Sequence, residues 1–195
     1  MRDKHKEPLR LEGKTVILEE IAPKYFSYVV EWRNNPALNK YLNQPFVLTE
    51  ELEKKWYEET YVKDDTQGLL VIIDKNTNTP IGTTGWANMD EERRRCTYER
   101  LLLGNANFRA SASFFESLFV GSDFLYEKVD VIYAHVAIGN TNALRLDLMT
   151  GFALNEGTIQ YSQNLFVNGL QQQEIYRTKD MYGQAKKRWW KWIRT

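Results

Sequence analysis

One run of nine residues, VDVIYAHVA at 129–137, constrains the fold more than any other part of the sequence. β-branched, aromatic and small apolar residues fill most of it, which is typical of a strand buried in the middle of a sheet. The segments on both sides, FFESLFVGSDFLYE and NTNALRLDLMTGF, repeat their apolar residues with a helical period. Asn140 or Thr141 caps the second helix and Gly151 ends it. This arrangement predicts a strand-helix-strand crossover in a mixed α/β sheet.

The rest of the chain supplies further strands and helices around this centre. Strands are predicted for KTVILEEI, for Leu69–Asp74 and Ile81–Ala87 as a hairpin, for CTYERLLLG, and for two segments across the turn VNGL. Helices are predicted for APKYFSYVVEWRNN, for LTEELEKKWYEETY with Thr49 as its N-terminal cap, and for the C-terminal segment from near Asp180. The front half of the sheet is therefore expected to be antiparallel.

Length and charge narrow the classes of function. At 195 residues the chain is long enough for one compact domain, 1–195, and short for two. Lys plus Arg and Asp plus Glu both number 26, so we expect neither nucleic acid nor a membrane as partner. The charged N-terminus has no apolar core and no apolar run approaches the ~20 residues of a membrane span, which predicts a cytoplasmic protein. The single cysteine, Cys96, excludes an internal disulfide and a cysteine zinc cluster.

Four segments carry a family resemblance when they are taken with this order of elements. They are WRNNP in the first helix, PIG in the hairpin, LLLGNANFR before the central helix, and YAHVAIGNTNALRLDLMTGF. From about Leu11 to Tyr176 the chain resembles the GNAT superfamily of acyl-CoA N-acyltransferases. It looks most like the branch of ribosomal-protein N-terminal acetyltransferases and bacterial amino-sugar N-acetyltransferases. The resemblance implies a splayed, mostly antiparallel sheet flanked by helices, with acetyl-CoA as co-substrate and no metal.

The resemblance also implies where acetyl-CoA binds. Its pantetheine arm would pair like an extra strand with the backbone of Leu101, Leu102 and Leu103, and the side chain of Asn140 would reach a pantetheine amide. Its pyrophosphate would lie on backbone amides at the start of the central helix, where unpaired N–H groups attract anions. The residues of that loop are Phe108, Arg109, Ala110, Ser111, Ala112 and Ser113.

The loop departs from the family pattern because NANFRASASFF contains no glycine. Relatives have Arg or Gln, two residues, Gly, one residue, and then Gly or Ala. Aligned from its left edge, the loop supplies Arg109, Ala112 and Phe114, which places a ring where the backbone must approach the ligand. Counted back from YAHV, Ala110 and Ala112 take the glycine positions, and we prefer this alignment.

Alanine can serve in those positions because the donor to phosphate is the backbone N–H, which alanine also has. Glycine is required only for a positive φ or for close contact at the α-carbon. Ser111 and Ser113 can add hydroxyl donors. The alternative is that ASAS is only a helix start packed on the sheet, with no phosphate site.

Two carboxylates are candidates for proton transfer. Asp147 occupies the position where many relatives have a tyrosine that returns a proton to the CoA thiolate; it serves as an acid only if burial raises its pKa, and otherwise it is a solvent-facing helix residue. Glu99 is the candidate base, although it can instead pair with Arg100 or with the tip ERRR. Strand alternation puts Glu99, Leu101 and Leu103 on one face of the sheet and Tyr98, Arg100 and Leu102 on the other. His135 is either a second base or a core residue.

The resemblance places the acceptor-binding side of the site at the first helix. Trp32, Arg33 and Asn34 would line it, with Arg33 neutralising a phosphate or a carboxylate, or instead covering Trp32 at the helix end. Trp86 would stack on a sugar or base, or lie in the core. The tail KKRWWKWIRT binds RNA or a membrane surface, or docks Trp189, Trp190 and Trp192 on the domain, or makes a dimer contact.

These residues together predict an N-acetyltransferase that acts on a primary amine of a small molecule, most plausibly a nucleotide-linked amino sugar. One alternative is acetylation of a protein or peptide N-terminus. The other is a degenerate relative that binds acyl-CoA, or nothing, and acts as an interaction module. The chain is expected to be a monomer or a homodimer.

Overall fold

A computed structural model describes residues 4, 7–42, 44–156, 166–167 and 170–193. The strands are β1 (Arg10–Glu12), β2 (Val16–Glu20), β3 (Gly68–Asp74), β4 (Thr79–Asp90), β5 (Arg95–Leu103), β6 (Val131–Ala137), β7 (Ala153–Leu154), β8 (Phe166–Val167) and β9 (Leu170–Thr178). The helices are α1 (Phe26–Asn34), α2 (Pro36–Asn39), α3 (Glu50–Glu59), α4 (Ala112–Lys128), α5 (Thr141–Met149) and α6 (Lys179–Ile193). The strands lie in the order β1-β2-β3-β4-β5-β6-β9-β7, and β8 pairs with β9.

The mixed, mostly antiparallel sheet predicted from the sequence is confirmed. Each of these pairs is antiparallel except β5 with β6, which is joined through α4 as the crossover pattern predicts. Thr49 caps α3 as predicted, since its side chain accepts a hydrogen bond from the amide of Leu52. The sequence patterns do not predict β1 or α2, because three and four residues are too few to display a period.

The parallel pair β5 and β6 separates part-way along its length. The two strands are paired at Arg95–Val131, Cys96–Ile132 and Thr97–Tyr133. Beyond Thr97, β5 continues beside β4 as far as Leu103, while β6 continues beside β9 as far as Ala137. A wedge therefore opens between the two strands on the side where both end.

The two faces of the sheet carry separate apolar cores. On the face covered by α1 and α3, which we call the α1 face, Phe26 and Tyr57 pack with the alternate residues Leu69, Val71 and Ile73 of β3. On the opposite α4 face, α4 packs on the other residues of β2 and β3, and α5 and α6 lie on the same side. The burial of both faces explains why β3 is buried at every position and has no alternating polar residues.

A β-bulge on β5 changes the direction of its side chains. The register passes from Gly85–Glu99 to Thr83–Leu102, so that one residue of β4 lies opposite two of β5. The extra residue is Arg100, which has a φ of 61°. Because of it, Leu101 and Leu103 pack on the α4 face together with Tyr98. The predicted alternation, with Tyr98 on the opposite side from Leu101 and Leu103, is wrong for this reason.

Helix α6 lies antiparallel to α4. The Tyr182 hydroxyl donates to the Phe119 oxygen at 2.9 Å, Lys186 forms a salt bridge with Asp123, and the ring of Trp189 contacts that of Phe115 at 5.5 Å between centroids. The C-terminal end of α6 therefore reaches the first turn of α4. Docking of the tail is seen for Trp189; the side chains of Trp190 and Trp192 lie outside the described residues.

Candidate active site

The loop before α4 ends in a capped helix start. A 3-10 turn at Ala106–Phe108 precedes it, and the amide of Ser111 donates to the Phe108 oxygen at 3.0 Å. The Ser111 hydroxyl in turn accepts from the amide of Phe114 at 3.1 Å, so Ser111 is the N-cap of the 17-residue helix α4. The sequence places small residues here because this loop must turn tightly into the helix.

Three backbone amides of this loop are unused. Those of Ala110, Ala112 and Ser113 have no acceptor within the described part of the chain. None of residues 105–113 has a positive φ, so the conformation here requires no glycine. Free N–H groups at the N-terminus of a long helix form a site for an anion. Alanine in place of glycine therefore leaves the backbone N–H donors of this loop in place.

The Ser113 hydroxyl does not take the role expected of it. Ser113 is only 1% exposed, and its hydroxyl lies 3.0 Å from that of Ser111 and hydrogen-bonds Asp74. Burial raises the pKa of Asp74, but the hydrogen bonds from Ser113 and Thr77 outweigh burial and the net shift is downward. The prediction of a Ser113 hydroxyl facing phosphate is corrected, because that side chain is turned into the core by Asp74.

The two sides of the wedge carry the residues expected at the pantetheine arm. Leu101, Leu102 and Leu103 form the free end of β5, and Leu103 is paired on its other side with Gly82. Asn140 follows β6 and caps α5 by accepting from the amide of Ala143 at 3.3 Å. Because the oxygen of its side chain makes that cap, the amide nitrogen of Asn140 is the group left for a ligand.

Asp147 is buried in α5, so the alternative interpretation of a solvent-facing helix residue is wrong. It is 7% exposed, and its carboxylate has no hydrogen-bond or ion-pair partner within the described residues. Burial raises the pKa of Asp147 to about 7, while the positive charge of Arg177 opposes the shift. The charge of Asp147 acts on Tyr98, which follows the last β5–β6 pair. A carboxyl group of raised pKa therefore lies near Tyr98, where β5 and β6 separate.

The two other titratable candidates, Glu99 and His135, differ in whether their side chains are paired. Glu99 is half-buried and forms no salt bridge with Arg100 or the charged tip in the part of the chain that the structure describes. His135 lies 3.0 Å from Glu174 through its Nε2, across the β6–β9 pair. His135 is thus a paired residue between two strands, and Glu99 remains the candidate base.

Two of the residues expected to contact the acceptor substrate make structural contacts instead. The side chain of Asn34 donates to the Leu48 oxygen and accepts from the Leu48 amide, both at 2.8 Å, and so holds the loop before α3. Trp86 is 6% exposed; its ring lies over Gly68 and packs against Phe124 on the α4 face. Both predicted contacts with substrate are corrected, because hydrogen bonding occupies Asn34 and the core encloses Trp86.

Trp32 lies beside the end of β5, and Arg33 lies near Arg100 in the β5 bulge. The Trp32 ring covers Gly104, where an added Cβ would come within 2.0 Å of it. Trp32 is 5% exposed, so its ring packs against the strand end and leaves little surface for a ligand. Arg33 is half-buried, and burial lowers its pKa although Glu53 opposes the shift.

A charged cluster that the sequence patterns missed surrounds Arg33. Glu53 of α3 is 1% exposed, and burial raises its pKa even though Arg33 and Arg100 lower it. Arg100, in the β5 bulge, lies over the Trp56 ring at 5.5 Å. The Oε1 atoms of Glu53 and Gln44 are buried and accept no hydrogen bond within the described residues. Two guanidinium groups and two unsatisfied acceptors therefore lie on the α1 face, and the Arg100 guanidinium also donates to the Gly68 oxygen and to the Gln67 side chain.

Comparison with known proteins now adds to this geometry. Residues 15–153 match a family model described as an acetyltransferase (GNAT) domain. This chain belongs to the GNAT acetyltransferase family. No curated protein sequence matches it significantly.

Solved structures share the GNAT fold at low identity. Spermidine N-acetyltransferase from Vibrio cholerae, in complex with CoA and spermine, is 16% identical, covers 87% of this chain and 99% of its own, and has a TM-score of 0.70. FdhC, a nucleotide-linked sugar GNAT, is 16% identical over 94% of this chain and 97% of its own, with a TM-score of 0.73. A GCN5-related N-acetyltransferase from Brucella melitensis is 15% identical, covers 96% of this chain and 86% of its own, and has a TM-score of 0.77.

Among the described residues, no group of three or more His, Cys, Asp and Glu side chains could hold a metal ion. In the same part of the chain, no helix combines the length and apolar character needed to cross a membrane.

Proposed function

We propose that this protein transfers an acetyl group from acetyl-CoA to a primary amine of a small molecule. The observation that carries the proposal is the combination of the β5–β6 wedge with three free amides at the start of α4. The wedge offers the backbone of Leu101–Leu103 to an extended ligand, and the amides offer an anion site. Acetyl-CoA joins an amide-containing arm to a pyrophosphate, which matches both features.

The reaction would be a direct transfer. The amine nitrogen attacks the thioester carbon, backbone N–H groups near Leu102 stabilise the oxyanion, and the carbon–sulfur bond breaks. Glu99, or a water that it holds, takes the proton that the ammonium loses, and Asp147 returns a proton to the CoA thiolate. No covalent enzyme intermediate is required, and Cys96 is unsuited to that role because burial raises its pKa to about 12.

Calorimetric titration with acetyl-CoA tests the class of function. We expect a dissociation constant in the micromolar range, which is common for enzyme substrates. A chain that binds no acetyl-CoA at millimolar concentration is a degenerate relative, and the proposal is then wrong.

Replacement of Glu99 by glutamine tests the base. We expect kcat to fall about 100-fold, which is typical of the loss of one acid–base group, with little change in the affinity for acetyl-CoA. The rate is followed by release of free thiol across pH. A Glu99→Gln variant as fast as the parent would remove Glu99 from this role.

The charged cluster on the α1 face favours an anionic acceptor. Arg33 faces the carboxylate of Glu53, whose raised pKa weakens its negative charge, while Arg100 also lies near the carboxylates of Glu99 and Asp64. The guanidinium of Arg33 is therefore the group best suited to a phosphate or carboxylate of the acceptor. We therefore propose a nucleotide-linked amino sugar as acceptor, whose phosphates face Arg33. Peptide N-termini are the second candidate.

A kinetic comparison of acceptors tests this choice. For Arg33→Gln we expect KM for a nucleotide-linked amino sugar to rise about 10-fold to 100-fold with kcat nearly unchanged, because one charge-assisted contact to a ground-state anion is lost. The control is Arg93→Gln at the exposed β4–β5 tip, which pairs with Asp90. Preference of the parent for spermidine or for peptides over the sugar nucleotide would contradict the proposal.

A further inference from the structure

Lys4 is a buried lysine outside the region that matches the family model, which begins at residue 15. It is 5% exposed, although lysines are rarely buried unless their charge is paired. Its ammonium donates to the main-chain oxygens of Tyr61, Asp64 and Gln67 at 2.9, 2.6 and 2.9 Å. An ammonium has three N–H donors, so these three oxygens match its donor capacity. They form a cage that the Lys4 ammonium fills.

The cage is formed by residues 61–67, which we call the α3–β3 connection. This segment begins with a 3-10 turn at Tyr61–Lys63 and ends directly before Gly68, the first residue of β3. The Lys4 ammonium also lies over the Tyr61 ring, 4.0 Å from its centroid, which adds a cation–π contact. Lys4 therefore ties the first and the last residue of the connection to one charged group.

The same connection holds Arg100 in the β5 bulge by two routes. The side-chain oxygen of Gln67 accepts a hydrogen bond from the Arg100 guanidinium, which also donates to the Gly68 oxygen at 3.4 Å. Arg100 lies over the Trp56 ring at 5.5 Å, and the Trp56 ring contacts that of Tyr61 with 5.2 Å between centroids. The residues that bind the Lys4 ammonium thus also fix the Arg100 guanidinium.

We propose that Lys4 is a positioning residue for Glu99, and that it acts through the α3–β3 connection and Arg100. The backbone of Arg100 has a φ of 61°, which an arginine keeps only where its surroundings hold it. Glu99 is the preceding residue, so the direction of its side chain depends on that conformation. The inference rests on the proposed function, which assigns Glu99 as the base. A displacement of about 1 Å in a reacting group can lower a rate about 100-fold.

Replacement of Lys4 by methionine removes the ammonium and keeps an unbranched side chain, which tests the assignment. We expect kcat to fall at least about 10-fold, because the base is less well held. The dissociation constant for acetyl-CoA should not change, since the contacts of Lys4 lie on the α1 face and α4 packs on the opposite face. Release of free thiol, measured well below the Tm of each variant, gives kcat, and calorimetry gives the affinity.

A second variant, Gln67→Leu, breaks the route at another point. It removes the acceptor of the Arg100 guanidinium but keeps the main-chain oxygen that accepts from Lys4. We expect a similar decrease in kcat, and a double variant no slower than the slower single variant, because both changes break the same chain of contacts. If Lys4→Met fails to fold, Gln67→Leu decides alone, and the parent's kcat in that variant overturns the inference.

The matched control is Lys63→Met, the same change at an exposed lysine of the 3-10 turn. This variant should keep the kcat of the parent. Three results would each overturn the inference and leave the proposed function standing: a Lys4→Met variant with a lower Tm but the parent's kcat, an equal loss in Lys63→Met, or additive losses in the double variant. A parent chain that acetylates no amine would overturn the proposed function itself.

Discussion

Replacement of Asp147 by asparagine is expected to lower kcat about 100-fold while it stabilises the protein at alkaline pH. Burial raises the pKa of this carboxyl to about 7, so near neutrality about half of it carries the proton that the CoA thiolate needs. The parent should lose activity above its pKa as Asp147 ionises. The asparagine variant cannot donate this proton, so its activity should not show the same decrease above pH 7. Release of free thiol measured across pH distinguishes the two profiles.

The effect on stability has the opposite sign and provides the control. The pKa of Asp147 is raised on folding from its ordinary value of 3.8, so its contribution to stability is fully present below that pH. This contribution is lost as pH rises to about 7, since the folded state must then bury a charge. We expect the Tm of Asp147→Asn to exceed that of the parent by several degrees at about pH 8 and to approach it at about pH 4. A variant less stable than the parent at both pH values would indicate a structural role for Asp147.

The framework of the fold could be predicted because local signals agree with tertiary packing. Of the run at 129–137, Val131–Ala137 forms β6, which is mostly buried as expected from its apolar residues, while Val129 ends α4. Asn140 begins α5 as a side-chain cap, and Gly151 ends it with a φ of 98°. Both effects depend only on neighbouring residues. The assignment of the loop alanines to phosphate stays a prediction; it rests on the backbone N–H, which does not depend on the side chain.

The parts of the site that could not be predicted depend on contacts between distant segments. TYERLLL gives no sign of a bulge at Arg100, because a positive φ is rare for arginine and here is set by pairing with β4. Glu53 lies in the polar stretch EELEKK, yet packing of α3 on the sheet buries it. Trp86 reads equally well as a ligand contact and as core; only the position of its ring over Gly68 decides between them.

Replacement of Ala112 by proline removes a single backbone donor from the proposed phosphate site. Ala112 is the first residue of α4, and the preceding Ser111 has an extended conformation with a ψ of 148°, which proline requires of its predecessor. Proline is favoured at this helix position because the N–H there has no partner within the helix. We expect the affinity for acetyl-CoA to fall about 10-fold to 100-fold, the loss of one hydrogen bond to a charged group, with Tm unchanged.

The matched control is Glu50→Pro, the same change at the first position of α3. Its predecessor Thr49 is also an extended N-cap, with a ψ of 163°, and α3 lies on the opposite face of the sheet from α4. This variant should bind acetyl-CoA as the parent does. If Ala112→Pro also binds as tightly as the parent, the amides at the start of α4 do not hold the pyrophosphate, and ASAS is only the start of a packed helix. A selective loss in Ala112→Pro would instead show that a loop without glycine retains the donors that matter, because phosphate is bound through backbone N–H groups that alanine supplies equally well.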